Sequence, residues 1–298
     1  MMNSNKPKVH WSELLPWEFE VRQQACPIVY MPIGLCEPHG QVSALGLDTI
    51  KAEWLCQESA RRCGGIVAPT VGYTIHESGF HARWLEDEVG EGKPYMTSMP
   101  PGIVLHYLLY QLRAFANTGF RGVVVVSGHS GGNQHDLRFA ADRFSAATGV
   151  RVVVMSDPEL VAGTFQGDHA GKYELSQLLY LRPDLVDFTR DMSGFAGSST
   201  LGDASSQRRL ALGADYCEAT AAYGEQIMHQ ALDRLSDIVM ETAGLLKGEA
   251  PLPQITYDQI ENLWCDIVAD RASWKSSSPR PGQQPVSPNS QWKEYEFG

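Results

Sequence analysis

Gly122-Val123-Val124-Val125-Val126-Ser127 is the stretch whose reading decides the fold. Four β-branched residues in a row, with no polar alternation, describe a strand covered on both faces, which is the habit of parallel sheets flanked by helices. Outward from it the chain alternates between strand and helix patterns. Cys26 to Pro32 and Ile66 to Val71 read as strands, with a helix from Thr49 to Cys63 between them that stops at Gly64-Gly65. Val104 to Thr118 is helical, with Leu105, Leu108, Leu109 and Leu112 at spacings of three and four and Gly119 as a stop. After the valines comes an amphipathic helix over Gln134 to Thr148, burying Leu137, Ala140, Ala141 and Phe144, and then a strand over Val152 to Ser156. Gly171 to Leu181 and Asp215 to Leu246 complete the helices. This rhythm predicts an α/β fold with a mostly parallel sheet and helices on both faces.

Composition narrows the function. A net charge of -11 argues against nucleic acid as the main partner, because neutralising phosphates needs a basic face. The start is polar and lacks an apolar h-region, and no apolar run reaches spanning length, so neither a signal peptide nor a membrane segment is expected. Six scattered cysteines (Cys26, Cys36, Cys56, Cys63, Cys217, Cys265) form no CxxC pair and read as reduced thiols in a cytoplasm. His81 to Pro101 is polar, acidic and turn-rich, a long loop or excursion of the kind that is functional inside a compact domain. Ser276 to Ser290 is Pro/Ser-rich, so the expected division is one domain over residues 1–274 and an extended or disordered tail over 275–298. The aromatic close of that tail, Trp292 to Phe297, could dock on this subunit or a neighbour.

In open parallel sheets ligands bind beyond the carboxyl ends of the strands, and three groups of chemistry-bearing residues fall there. Glu37-Pro38-His39-Gly40, with Asp48 eight residues on, follows the first strand. His129, in Ser127-Gly128-His129-Ser130-Gly131-Gly132-Asn133, follows the valines. His169 and Glu174, in Asp168-His169-Ala170-Gly171-Lys172-Tyr173-Glu174, follow the strand that ends at Ser156. Carboxylate oxygens mixed with imidazole nitrogens are the donors that hold zinc, manganese or iron(II) in hydrolytic sites. Taken singly each has a plain structural explanation: Asp48 as an N-cap, Glu37 as a loop carboxylate, His39 as a turn histidine, Glu174 as a solvated helix residue. Their joint placement points to a divalent-metal-dependent hydrolase.

A rival reading uses the same loop. Gly128-His129-Ser130-Gly131-Gly132 matches the G-x-S-x-G nucleophile elbow between a strand and a helix. Ser130 would then be the nucleophile of a serine esterase, with Asp168, His169 or His229 completing a triad. Against it, no HGGG-like segment lies upstream, and Glu37, His39 and Asp48 are left without a role. A non-catalytic binding protein on the same fold is the third possibility.

The three motifs together resemble the creatininase (creatinine amidohydrolase-like) family. Its first motif, roughly P-x-G-x-x-E-x-H-G-x-H-L-P-L-x-T-D, is kept at Pro32, Gly34, Glu37, His39, Gly40, Leu45 and Asp48, with Val42 and Ala44 replacing its second histidine and its proline. Its N-G-H-G-G-N is similar to Ser127 to Asn133, lengthened by Ser130. Its H-A-G-x-x-E-T-S appears as His169 to Ser176, followed by Leu181-Arg182-Pro183-Asp184-Leu185-Val186. Where the family runs H-x-x-F-P-G-T, this chain has His76 to Trp84 and then the acidic excursion.

The resemblance implies a three-layer αβα sandwich with two divalent metal ions per subunit, Zn2+ or Mn2+ with Fe2+ as a further option. Carried over by position, Glu37, Asp48 and His129 hold one ion, and His39, Asp48 and Glu174 the other, with Asp48 bridging. It implies a homo-oligomer, with hexamers common in the family. The substrate it implies is a small polar cyclic molecule. A cyclic amide comes first, and a lactone or a sugar- or inositol-derived cyclic ketone is the alternative on the same metal site. Two cations sharing a water lower its pKa towards roughly 7 and polarise the carbonyl it attacks. His169 is the candidate for proton transfer to the leaving group, with orientation of a ligand carboxylate as its equal alternative; His76, His81, Trp84 and Ser130 are the candidates for the substrate wall, with loop packing as the alternative for Trp84.

Overall fold

The valine run is one of the two inner strands of a four-stranded parallel sheet. In the computed structural model, which describes residues 6–76, 78–86, 95–190, 212–248, 250–290 and 292–293, the strands run in the order β2 (Ile66–Val67), β1 (Ile28–Ile33), β5 (Gly122–Ser127), β6 (Arg151–Ser156). Val29 lies opposite Val123 and Val123 opposite Val152, so the three long strands are in register. A separate parallel pair, β3 (Thr74–Ile75) and β4 (Ser98–Met99), stands beside it.

Alternate valines serve opposite cores. Val123 and Val125 face α4 (Pro101–Thr118), α5 (Asn133–Thr148) and α9 (Tyr257–Ala269). Val124 and Val126 face α2 (Leu47–Cys63) and α8 (Ala221–Leu245). All four are fully buried, each worth roughly 1.5–3 kcal/mol of apolar burial. That is why polar alternation is missing from the strand. The result is the three-layer αβα sandwich.

Four features differ from the sequence reading. Three helices had no counterpart in it, α1 (Pro16–Ala25), the single-turn α6 (Asp157–Leu160) and α9. The helix expected from Asp215 starts at Ala221, because Thr220 Oγ1 caps it by accepting from Tyr223 N at 3.2 Å and Tyr216–Glu218 forms a separate 3-10 turn. The stretch expected as a loop from His81 begins inside a short helix, α3 (Gly79–Trp84), and ends in β4; residues 87–94 lie outside the described residues. The Pro/Ser-rich segment has no regular structure, yet it is tied down. Lys275 N and Ser276 N donate to the Asp136 carboxylate at 2.6 and 3.0 Å, and Trp292 packs on Ala82 and Leu85 of the α3 region. The remainder of the aromatic close, 294–297, lies outside the described residues.

The carboxyl edge of the sheet is drawn together by two glycines. A Cβ on Gly128 would sit 1.9 Å from the Asp48 carbonyl oxygen, and one on Gly34 would sit 2.6 Å from Thr49 N. Without side chains there, the first turn of α2 presses against the ends of both β1 and β5. Asp48 is thereby placed between the loops that carry Glu37 and His129. Among the described residues no helix is long and apolar enough to cross a membrane, and all six cysteines are free thiols.

Candidate metal centre

Each strand-end loop delivers one donor group to a common point. Glu37 and His39 arrive from the loop after β1, Asp48 from α2, His129 from the loop after β5, and Glu174 from the first turn of α7 (Lys172–Leu181). All five are 5% exposed or less. His129 Nδ1 lies 3.1 Å from Glu37 Oε1 and 3.3 Å from Asp48 Oδ2. His39 Nε2 lies 3.2 Å from Glu174 Oε2 and 3.6 Å from Asp48 Oδ1. His76 Nε2 is 2.8 Å from Glu37 Oε2, closer than any other contact that carboxylate makes to an imidazole. Three subsets bring their donor atoms within 4.8 Å of one another: Glu37–His76–His129, His39–Asp48–Glu174 and Glu37–His39–His169.

Proximity alone could be a hydrogen-bonded network, but the bonding pattern says otherwise. Both Asp48 oxygens, Glu37 Oε2 and His39 Nε2 are buried without any hydrogen-bond partner, although each has a donor or acceptor close by. Unsatisfied buried polar atoms are costly and rare. Asp48 is not the N-cap of its helix either: Gly46 holds that place and Asp48 lies inside the first turn. His39 is oriented from behind: its Nδ1 is 3.1 Å from the Glu37 carbonyl, which can only accept, so in the neutral ring Nε2 is the nitrogen left to bind a cation.

Charge makes the same point. Glu37, Asp48, Asp157 and Glu174 are buried together with one lysine, Lys51, which is itself 1% exposed. Lys51 Nζ donates to Glu174 Oε1 at 2.7 Å and lies 3.3 Å from Asp157 and 3.6 Å from Asp48. One ammonium among four carboxylates leaves an excess of three negative charges in a dry environment, which a pair of divalent cations would neutralise. The residues therefore fit such a group.

Without cations the histidines bear the imbalance. Burial pushes the His129 pKa down, but the Glu37 and Asp48 carboxylates outweigh it and raise it to about 10. His39 is likewise raised to about 9, by Glu174 and Asp48 against burial. Burial and the charge of Glu37 raise Asp48 to about 6, whereas Glu174, despite burial, is held far below the carboxylate range by Lys51 and His39. His169 moves the other way. Burial lowers its pKa, which favours the neutral ring.

The other predicted residues lie around this cluster in distinct ways. His169 is on its rim, with Nδ1 3.7 Å from Glu37 Oε1 and 4.0 Å from Glu174 Oε2, and its ring stacks on His39. Trp84 stands edge-on to His169 and tilted against His76, both at 5.1 Å. His81 is turned away from the donors: its Nε2–H donates to the Gly131 carbonyl at 2.5 Å and so ties α3 to the glycine loop.

Ser130 is half-buried and has no hydrogen bond to a histidine among the described residues. The Asp168 carboxylate accepts from the backbone N–H groups of Gly171, Tyr173 and Glu174, and His229 pairs with Tyr180. No catalytic triad forms around Ser130 among the described residues.

Lys51, Asp157 and Gln177 escaped the sequence reading. Lys51 carried a usable signal: it lies four residues from Leu47 and four from Leu55, in the middle of a buried helix stripe. Ala170, between His169 and the helix, adopts φ +51°, and its N–H donates to Glu174 Oε2 at 2.8 Å.

The family model for creatininase, described as creatinine amidohydrolase, matches residues 12–239. The chain belongs to the creatininase family. Creatinine amidohydrolase of Pseudomonas putida is 29% identical over 196 residues, which covers 59% of this chain and 73% of that protein. The 3-dehydro-scyllo-inosose hydrolase of Thermotoga maritima is 23% identical over 148 residues, 50% of this chain and 44% of that protein. A crystal structure of creatininase superposes with a TM-score of 0.63 at 24% identity, covering 78% of this chain and 97% of the other. A manganese form of creatininase gives 0.64 at the same identity, over 79% and 99%. This creatininase-family protein is a metal-dependent hydrolase with the fold of those structures.

Proposed function

We propose that this hydrolase opens a small polar ring, a cyclic amide, by adding water across a carbonyl carbon at a two-ion centre. Glu37, Asp48 and His129 hold one ion; His39, Asp48 and Glu174 hold the other. The observation that carries this reading is the set of buried donor atoms of Glu37, His39 and Asp48 that face one another with no hydrogen bonds between them. Bound divalent ions supply Lewis acidity, activating a water and polarising the carbonyl.

The chain's own residues do the rest. His169 Nε2 is 3.1 Å from the Pro38 carbonyl, which accepts its proton and leaves Nδ1 as a free base facing Glu37 and Glu174. A neutral imidazole in that state takes a proton from the attacking water and hands it to the leaving nitrogen. Lys51 keeps Glu174 ionised and fixes its Oε1, so that Oε2 points into the centre. Trp84 shields the His169 ring on one side. The test is a panel of lactams, lactones and cyclic ketones assayed with reconstituted enzyme. His169→Ala should lower kcat by about 10²–10⁴-fold while leaving metal content unchanged. A variant that kept wild-type kcat would remove His169 from the chemistry.

A second reading has its own support. The inosose hydrolase relative acts, by its name, on an inositol-derived ketone. The same centre would then begin carbon–carbon cleavage by hydrating a ring ketone. Turnover of cyclic ketones without lactam turnover in that panel selects this reading.

A further inference from the structure

His76 has more to do than line a wall. Resting on the two-ion reading above, we infer that His76 is itself a ligand, the fourth protein donor to the ion held by Glu37, Asp48 and His129.

Its Nε2 is 2.8 Å from Glu37 Oε2, the shortest contact between two candidate donors at that end of the centre, and no other group bonds that oxygen. Two donors aimed at a shared cation take up such an arrangement. The ring stacks on His129 with centroids 4.8 Å apart and planes at 28°, which brings both imidazoles to the same side of Glu37. Glu37, His76 and His129 form one of the donor triplets within 4.8 Å, and His129 Nδ1 is also 3.3 Å from Asp48 Oδ2. The ring is held there by Trp84 at 5.1 Å and His81 at 5.0 Å, and the residue is only 4% exposed.

The consequence is an asymmetric centre. Glu37, Asp48, His76 and His129 supply four protein donors, the number that closes a tetrahedral zinc site. His39, Asp48 and Glu174 supply three, the number that leaves a position for water or substrate. The reacting carbonyl then belongs on the His39–Glu174 side, where His169 stands. Because His76 leaves β3 just before α3, filling the first position also ties the α3 segment, with Trp84, to the centre.

Chelator-stripped wild type, His76→Ala and His76→Gln, each shown to be folded by circular dichroism and thermal melting, are titrated with Co2+ and followed by visible absorption. Zn2+ competition against a chromophoric chelator gives the affinities. Wild type should take up two Co2+ per chain, with distinguishable spectra for the four-donor and three-donor sites. Both variants should shift the spectrum of one site, where water replaces an imidazole nitrogen, and weaken that site by at least about tenfold, the scale on which even supporting residues act. Two sites of wild-type affinity with unchanged spectra in both variants would overturn the inference and leave the two-ion reading standing. Failure of wild type itself to bind Co2+ stoichiometrically would overturn that reading and the inference with it.

Discussion

Asp48 and Asp136 occupy matching places and have opposite surroundings. Both lie in the first turn of a helix that follows a central strand, α2 after β1 and α5 after β5, and their exposures are 0% and 1%. Asp136 is fully engaged. It accepts from Lys275 N, from Ser276 N and from the Ser276 hydroxyl, and so pins the segment after α9 to the body of the protein. Neither oxygen of Asp48 has a partner, and its neighbours are another carboxylate, two imidazoles and an ammonium. A buried carboxylate with its hydrogen bonds made is structural. One left without them, among other donors, is held ready for something the polypeptide does not supply.

Substitution of the two aspartates separates these roles most sharply. Asp48→Asn should abolish uptake of the bridged ions and lower kcat by at least about 10³-fold, since several kcal/mol of transition-state stabilisation depend on them. The metal-free variant should melt no lower than metal-free wild type, because one buried like charge is gone. Equal metal content in Asp48→Asn and wild type would break the contrast.

Lys51 sharpens it next. Lys51→Met strands Glu174 and Asp157 without their counter-charge and should cost about 3–5 kcal/mol in denaturant unfolding of the metal-free protein. A loss below 1 kcal/mol would mean that the ammonium is not the partner the geometry describes. Asp136→Ala should cost about 2–3 kcal/mol from its charged hydrogen bonds and expose 275–292 to proteolysis, with metal stoichiometry intact. Loss of metal in that variant would contradict its purely structural role. Smallest of all, Ala170→Gly should change stability by no more than about 1 kcal/mol in either direction. It relieves a side chain from φ +51° and adds freedom to the unfolded chain.

The fold was legible where local pattern and packing agree. The valine run announced its own burial on both faces, and each glycine-ended helix pattern between strands corresponds to a helix in the structure. Pattern failed where tertiary contacts decide. α3 is six residues long and α1 buries no residue completely, so neither has a stripe to read. The tail owes its position to groups far away in the chain, the Asp136 carboxylate 140 residues from Ser276 and the α3 region, which no local signal connects to it.

Within the candidate centre, the strand-end motifs identified which residues converge, because parallel topology places those loops at one edge. What could not be read was the balance of charge. Lys51 is one helix turn from Asp48, an ordinary spacing for a solvated pair; its place in the Leu47–Leu55 stripe points inward, but which carboxylates it meets there is decided by tertiary packing. The proximity of His76 to Glu37 was equally hidden, since it depends on how the β3–α3 turn folds back over the glycine loop.

The centre is built to hold two cations, and calorimetric titration of chelator-stripped protein with Zn2+ tests that most directly. Two equivalents per chain, with activity restored as the second is added, are the predicted result. Fewer than one equivalent, or full activity in the stripped protein, would contradict it.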